Sequence, residues 1–164
     1  RLSRGLGDVY KRQGYTGELG VEIISDANKG LEIWNYFISK GIQPIGLAAR
    51  DTLRLEAGFN LYGSDMTVEN NPYDSNLEWT VDQSEQDRDY IGKKALKHLQ
   101  ETKNRLVGFY TDARGVLRSG TKVSFEGGEG VITSGTWSPT FKKNIGFCRV
   151  TKNFRKIGKS ILRR

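Results

Sequence analysis

The spacing of apolar residues changes at about residue 104 of 164, and this change limits the folds that the chain can adopt. Before that point, apolar residues recur at the three- and four-residue spacing of amphipathic helices. After it, they fall in short runs separated by glycines, which is the spacing of a small antiparallel sheet or barrel. The sequence therefore predicts an α+β fold that ends in a small antiparallel β-barrel. The four strand-like runs are Leu106–Tyr110, Thr121–Phe125, Gly130–Thr136 and Asn144–Val150.

The part before residue 104 contains three predicted helices. They cover about 28–40, Leu47–Ala57 and about Ile91–Leu99. Gly41 and Gly58 stand where the first two should end, because glycine adopts the left-handed conformation of a helix C-terminus at little cost.

Two short strands and two apolar helix faces complete the prediction for this part. The strands are expected at Val21–Ile24 and Leu77–Val81. The apolar faces are Ala49, Leu53 and Ala57 on the second helix and Ile91, Ala95 and Leu99 on the third.

The chain is expected to divide into four segments. Residues 1–13 show no apolar period and are interpreted as a leader or an artefact outside the fold. Residues 14–85 form the α+β part, 86–103 a connecting helix, and 104–164 the β-barrel.

Composition excludes several classes of function. One cysteine and one histidine exclude a disulfide framework and a Cys- or His-rich metal site, so no metal is predicted. No apolar run approaches the roughly 20 residues of a membrane helix, so no membrane partner is predicted either. The net charge of +7 lies at the two ends, since residues 14–148 alone carry −3. No aromatic residues interleave the basic ends as a nucleic-acid platform would need, so nucleic acid is not predicted as a partner.

Glu22 and Arg50 are the charged residues whose positions need explaining. Glu22 lies within an apolar strand-like run, where a lone carboxylate is costly unless it is paired or exposed. Arg54 can pair with Asp51 three residues before it, which leaves Arg50 in need of another partner. Glu22 and Arg50 could form a structural bridge, or they could flank a ligand that carries an amidine-like edge and an acid. From the residues alone, the bridge is favoured. The other reactive side chains are read as structural, Cys148 buried on its strand and His98 solvated on its helix.

The longest motifs resemble those of the aminomethyltransferase, or T-protein, family of the glycine cleavage system. The segments are GYTGELGVEI, GLAARDTLRLEAGFNLYGSDM, DRDYIGKKAL and ITSGTWSPTFKKNIG, in this order. The resemblance implies transfer of a one-carbon unit from the aminomethyl-lipoyl arm of the H-protein to tetrahydrofolate, with release of ammonia. Tetrahydrofolate is then the co-substrate and the lipoylated H-protein the partner. The implied location is the bacterial cytoplasm, or the mitochondrial matrix if the protein is eukaryotic.

The resemblance also implies roles for three residues at the folate site. Glu22 occupies the position whose carboxylate binds the pterin, since a carboxylate can accept two parallel N–H bonds from it. Arg50 occupies a second folate-site position, where its fork can orient the cofactor or bind an acidic group. Tyr15 resembles the aromatic residue that lines the site.

The same resemblance predicts a fragment. The family's catalytic aspartate lies in an N-terminal part without a counterpart here, and a further folate-site arginine follows Arg164. We therefore expect no catalytic residue in this chain and no activity from it alone.

Three other functions stay open on the sequence. One is the folate-binding domain of a sarcosine or dimethylglycine dehydrogenase. Another is a non-catalytic folate-binding protein of iron–sulfur repair, although the cysteine of its KGCYTGQE-like segment is absent from GYTGE. The third is a basic-tailed RNA-binding module.

Overall fold

A computed structural model describes residues 14–82, 84, 88–99, 104–112, 115, 117–125 and 128–151. The predicted leader and most of the basic C-terminal segment lie outside these residues. The described part is mixed helix and strand, which confirms the predicted α+β class. Its helices are α1 (Gly30–Ser39), α2 (Leu47–Ala57) and α3 (Lys93–His98), and its strands are β1 (Asn104–Thr111), β2 (Lys122–Phe125), β3 (Gly128–Ser138) and β4 (Lys143–Thr151).

The first two helices end at the predicted glycines. Gly58 adopts φ 80° directly after α2, and its N–H donates to the carbonyl of Leu55. Gly41, at φ 79°, follows α1, and its N–H donates to the carbonyl of Ile38. A left-handed residue lets the chain turn back on the last helical carbonyls, so each glycine fixes where its helix stops.

The four strands form one antiparallel sheet in the order β1-β4-β3-β2. All four predicted strand runs are therefore confirmed. β4 lies between β1 and β3 and is the most buried strand, and Phe147 and Ile145 contribute to the core with Leu106 of β1. Leu55 of α2 joins this cluster, so the core is built between α2 and one face of the sheet.

Strand β3 contains a bulge that changes which residues face α2. Ile132 pairs with Cys148, whereas Ser134 pairs with Phe147, the next residue along β4 in the other direction. Neighbouring residues of a strand point to opposite faces, so the extra residue Thr133 turns Ser134 towards the α2 face. Cys148 is buried, as predicted, at 3% exposure.

Two predicted strands are wrong. Val21–Ile24 belongs to no strand, and its side chains are exposed. A strand needs a neighbour to bond its backbone, and no strand of the described residues runs beside this segment. Leu77–Val81 instead contains a 3₁₀ turn at Glu78–Thr80, which the Thr80 hydroxyl stabilises by donating to the carbonyl of Leu77 at 2.7 Å.

The predicted apolar faces of two helices are also wrong. On α2 the buried residues are Arg54 and Leu55, whereas Ala57 is exposed. On α3 the apolar face points to solvent, with Ile91 fully exposed, and His98 is exposed as predicted. Among the described residues, no helix is long and apolar enough to cross a membrane.

Candidate functional site

Tyr15 and Arg50, two of the three predicted site residues, lie together, with Arg50 on α2 and Tyr15 beside it. The guanidinium carbon of Arg50 is 5.8 Å from the centroid of the Tyr15 ring, within the range of a cation–π contact. On the segment after α2, Phe59 stacks on Tyr15 with centroids 6.1 Å apart and planes 20° apart. Tyr15 and Phe59 thus form an aromatic pair that the exposed Arg50 guanidinium contacts.

Tyr15 is fixed by its hydroxyl as well as by its ring. The hydroxyl donates to the backbone carbonyl of Asn60 at 2.6 Å. Burial raises the pKa of the Tyr15 phenol, and the carboxylate of Asp65 adds to this, while the guanidinium of Arg54 opposes it. The phenol is therefore protonated at neutral pH and acts as a donor.

Gly17 lets the Tyr15 turn approach α2. Its φ of 76° is left-handed, and a Cβ built on it would lie 2.6 Å from the Cβ of Ala57. Both features exclude a larger residue, so this glycine brings the GYTG turn against the helix.

Glu22, the third predicted residue, lies on an exposed segment. No ion pair between described residues joins it to Arg50. The structural bridge that the sequence favoured is therefore not formed.

A buried ion pair, Arg54 with Asp65, lies beneath this site. Arg54 is 1% exposed and Asp65 is 0% exposed, and Nη1 of the arginine is 2.6 Å from Oδ2 of the aspartate. Arg54 also donates from Nε to Asp51 at 2.8 Å, from Nη1 to the carbonyl of Phe59 at 3.0 Å, and from Nη2 to Ser134 at 2.9 Å. The Asp51 contact confirms the predicted pairing, and the others were not predicted.

Asp65 connects the loop after α2 to the sheet. Its Oδ2 accepts from the N–H of Leu61 at 2.9 Å. Its Oδ1 accepts from the hydroxyls of Thr133 at 2.5 Å and Ser134 at 2.6 Å. Two successive strand residues reach one carboxylate oxygen because the bulge in β3 interrupts the alternation of the strand. The one sign in the sequence was the unusual number of hydroxyl residues in the strand run ITSGTWS.

Arg149 binds the same loop from β4. Its Nη2 donates to the carbonyl of Asp65 at 2.6 Å, and its Nη1 donates to the carbonyl of Asp74 at 3.0 Å. Sequence reasoning placed Arg149 in a basic tail, but in the fold it binds backbone carbonyls. Its Nη1 also lies 3.6 Å from Oδ1 of Asp74, and this ion pair offsets its charge.

Two models of one protein family match most of the chain. The GCVT N-terminal domain matches residues 7–85, and the glycine cleavage T-protein C-terminal barrel domain matches residues 104–162. The chain belongs to the glycine cleavage T-protein family. This agrees with the resemblance of the motifs, and the barrel description extends the four-stranded sheet described above.

Individual relatives agree with this assignment. An aminomethyltransferase of Stenotrophomonas maltophilia (strain K279a) is 49% identical over 141 residues, which cover 85% of this chain and 38% of that protein. One from Francisella tularensis subsp. tularensis (strain WY96-3418) is 48% identical over 147 residues, covering 88% and 41%. The crystal structure of the glycine cleavage system aminomethyltransferase T from Bartonella henselae matches with a TM-score of 0.76 and 35% identity, over 85% of this chain and 40% of that one.

The chain spans about two fifths of the length of these T-proteins. The N-terminal match begins at residue 7, within the predicted leader, so the division of the chain at residue 13 stays a prediction. The folate roles of Tyr15, Glu22 and Arg50 stay predictions as well. Nothing in the comparisons favours the dehydrogenase, iron–sulfur or RNA-binding alternatives.

Proposed function

We propose that this T-protein chain contributes the pterin side of a tetrahydrofolate site, and that the whole protein transfers an aminomethyl-derived carbon to that folate. The contact of Arg50 with Tyr15 is the observation that supports this most strongly. It places an accessible cation over an aromatic ring that Phe59 and Asn60 hold in position, which suits a planar heterocycle with an acidic tail.

The chemistry of each residue fits a separate part of the ligand. The exposed carboxylate of Glu22 is able to accept two N–H groups from the amino-pyrimidine edge of a pterin. Arg50 offers up to five N–H donors to a carbonyl or carboxylate. Tyr15 is protonated and held by Asn60, so its contribution is a fixed surface rather than proton transfer.

The reaction needs a donor of the one-carbon unit, and we propose the lipoylated H-protein of the same system. When bound, tetrahydrofolate supplies the nitrogen nucleophiles that accept the carbon, while the chain's residues bind and orient the pterin. The relatives named above are bacterial, which supports a bacterial cytoplasm as the proposed location.

Titration of the chain with tetrahydrofolate under reducing conditions, by calorimetry, tests the proposal. We expect Glu22→Gln to weaken binding by about 1–3 kcal/mol, because an amide replaces a charge-assisted acceptor with a poorer one. The matched control is Glu18→Gln, an exposed carboxylate four residues away. The control should bind as the unchanged chain does.

Equal weakening by both substitutions would contradict the role of Glu22. Absence of binding by the unchanged chain at millimolar tetrahydrofolate would contradict the site as a whole.

A further inference from the structure

The aromatic surface at Tyr15 depends on a short backbone segment. Phe59 stacks on the ring, and the carbonyl of Asn60 accepts the Tyr15 hydroxyl. Both residues belong to the irregular segment that follows α2. The position of the Tyr15 ring is therefore set by how firmly residues 59–61 are held.

The buried ion pair holds this segment at both ends. Arg54 donates to the carbonyl of Phe59 at 3.0 Å, and Asp65 accepts the N–H of Leu61 at 2.9 Å. Arg54 and Asp65 are bonded to each other, and both side chains are almost completely buried. Residues 59–61 are therefore held at both ends by one buried ion pair. Charge-assisted bonds in such surroundings are stronger than neutral bonds in water.

The sheet holds the pair in turn. Ser134 donates to Asp65 and accepts from Arg54, while Thr133 donates to the same aspartate oxygen. Both hydroxyls are available because β3 carries its bulge there. A continuous set of hydrogen bonds thus runs from β3 through the pair and residues 59–61 to Tyr15.

We propose that Arg54 and Asp65 are positioning residues for the folate site, and that the bulged hydroxyls of β3 orient them. The inference rests on the proposed function for its ligand, but the geometry at Tyr15 can be measured without one. It assigns the barrel domain a role in shaping the pterin surface that forms in the N-terminal domain. None of these four side chains needs to touch the folate.

Ser134→Ala tests the proposal, because it removes one hydroxyl and leaves every charge in place. The first measurement is the NMR chemical shift of the Tyr15 ring protons. The stacked Phe59 ring displaces this shift, and the Tyr15→Phe variant assigns the signal. The second is the dissociation constant for tetrahydrofolate, well below the melting temperature. We expect the Tyr15 signal to move towards its unfolded position and the dissociation constant to rise about three- to tenfold. Ser134→Thr, which keeps the hydroxyl, should restore both.

Ser138→Ala is the matched control. Ser138 lies on the same strand, is also buried and donates to a carboxylate of the same helix, Glu56. It has no bond to the pair or to residues 59–61. The control is therefore expected to lower stability while leaving the Tyr15 signal and folate affinity unchanged.

An unmoved Tyr15 signal in Ser134→Ala, or an equal movement in Ser138→Ala, would overturn the proposal. If Ser134→Ala does not fold, Thr133→Val removes the other hydroxyl at nearly constant shape and is judged in the same way. If the unchanged chain does not bind tetrahydrofolate, the proposed function fails, while the Tyr15 signal still decides whether the pair positions the ring.

Discussion

Replacing Asp65 by asparagine would remove one charge from the buried pair while keeping the shape of the side chain. The geometry favours one orientation of the new amide. The Oδ2 position faces Arg54 and the N–H of Leu61, which can only donate, so the amide oxygen belongs there. The amide nitrogen then faces the hydroxyls of Thr133 and Ser134, which are able to accept.

The expected cost is therefore mainly the cost of an unpaired charge. A buried ion that loses its partner destabilises a protein by about 3–5 kcal/mol. Arg54 keeps one carboxylate, Asp51, at 2.8 Å from its Nε, and that side chain is 42% exposed. A partly solvated partner compensates only in part, so we expect a loss near the lower limit, about 3 kcal/mol.

Urea unfolding followed by far-ultraviolet circular dichroism measures this loss. The matched control is Asp112→Asn, which breaks the 2.9 Å ion pair of Asp112 with Lys143. The Asp112 side chain is 77% exposed. The control should cost less than about 1 kcal/mol. Adding Arg54→Met to Asp65→Asn should recover at least about 1 kcal/mol relative to the sum of the single losses, because the stranded charge is gone. A loss no larger than that of Asp112→Asn, or strictly additive single losses, would refute the reasoning.

Further predictions concern Cys148 and two glycines. Burial raises the pKa of the Cys148 thiol to about 11, so native labelling by a thiol reagent at pH 8 should be far slower than labelling in urea. The pKa of the folded-state thiol lies above its ordinary value of 9.0, so the thiol's contribution to stability is present below pH 9 and is lost as pH rises towards 11. A contribution that was instead lost as pH fell would contradict this. Gly146→Ala should destabilise by about 3 kcal/mol in urea unfolding, the upper end of the usual cost of overpacking, since its Cβ would lie 2.2 Å from the carbonyl oxygen of Ser134. Gly30→Ala, which meets nothing within 4 Å at the start of α1, should be neutral or stabilise by up to about 1 kcal/mol, and equal effects of the two changes would exclude the steric explanation.

The sequence predicts best those elements whose signals are local. The ends of α1 and α2 follow from Gly41 and Gly58, because left-handed glycine acts on the adjacent turn alone. The four strands are predicted by short apolar runs that are separated by glycines. Val21–Ile24 has the composition of a strand but no strand beside it among the described residues, and pairing cannot be read from composition.

The candidate site divides in the same way. Glu22 and Arg50 were singled out by their charges, and the motifs of the family added Tyr15 and implied a folate role for all three. The contact between Tyr15 and Arg50 then appeared in the fold. The pairing of Arg54 with Asp51 was predictable because the two are one helical turn apart. The pairing of Arg54 with Asp65 was not, since it depends on how the loop after α2 folds back.

The apolar face predicted on α2 is wrong because this helix also packs through polar contacts. Periodicity assumes that a buried helix face is apolar, but here α2 packs on strand residues whose side chains are hydroxyls. The contacts join Ser134 to Arg54, Thr136 to Thr52, and Ser138 to Glu56. The strand residues alternate, as the period of a strand requires, and each contacts a polar residue of α2. A polar interface of this kind tolerates few substitutions, because each buried group needs its own partner. The segments ARDTLRLEAG and TSGTWSPT, which lie within the motifs that resemble the family, are therefore joined through their side chains.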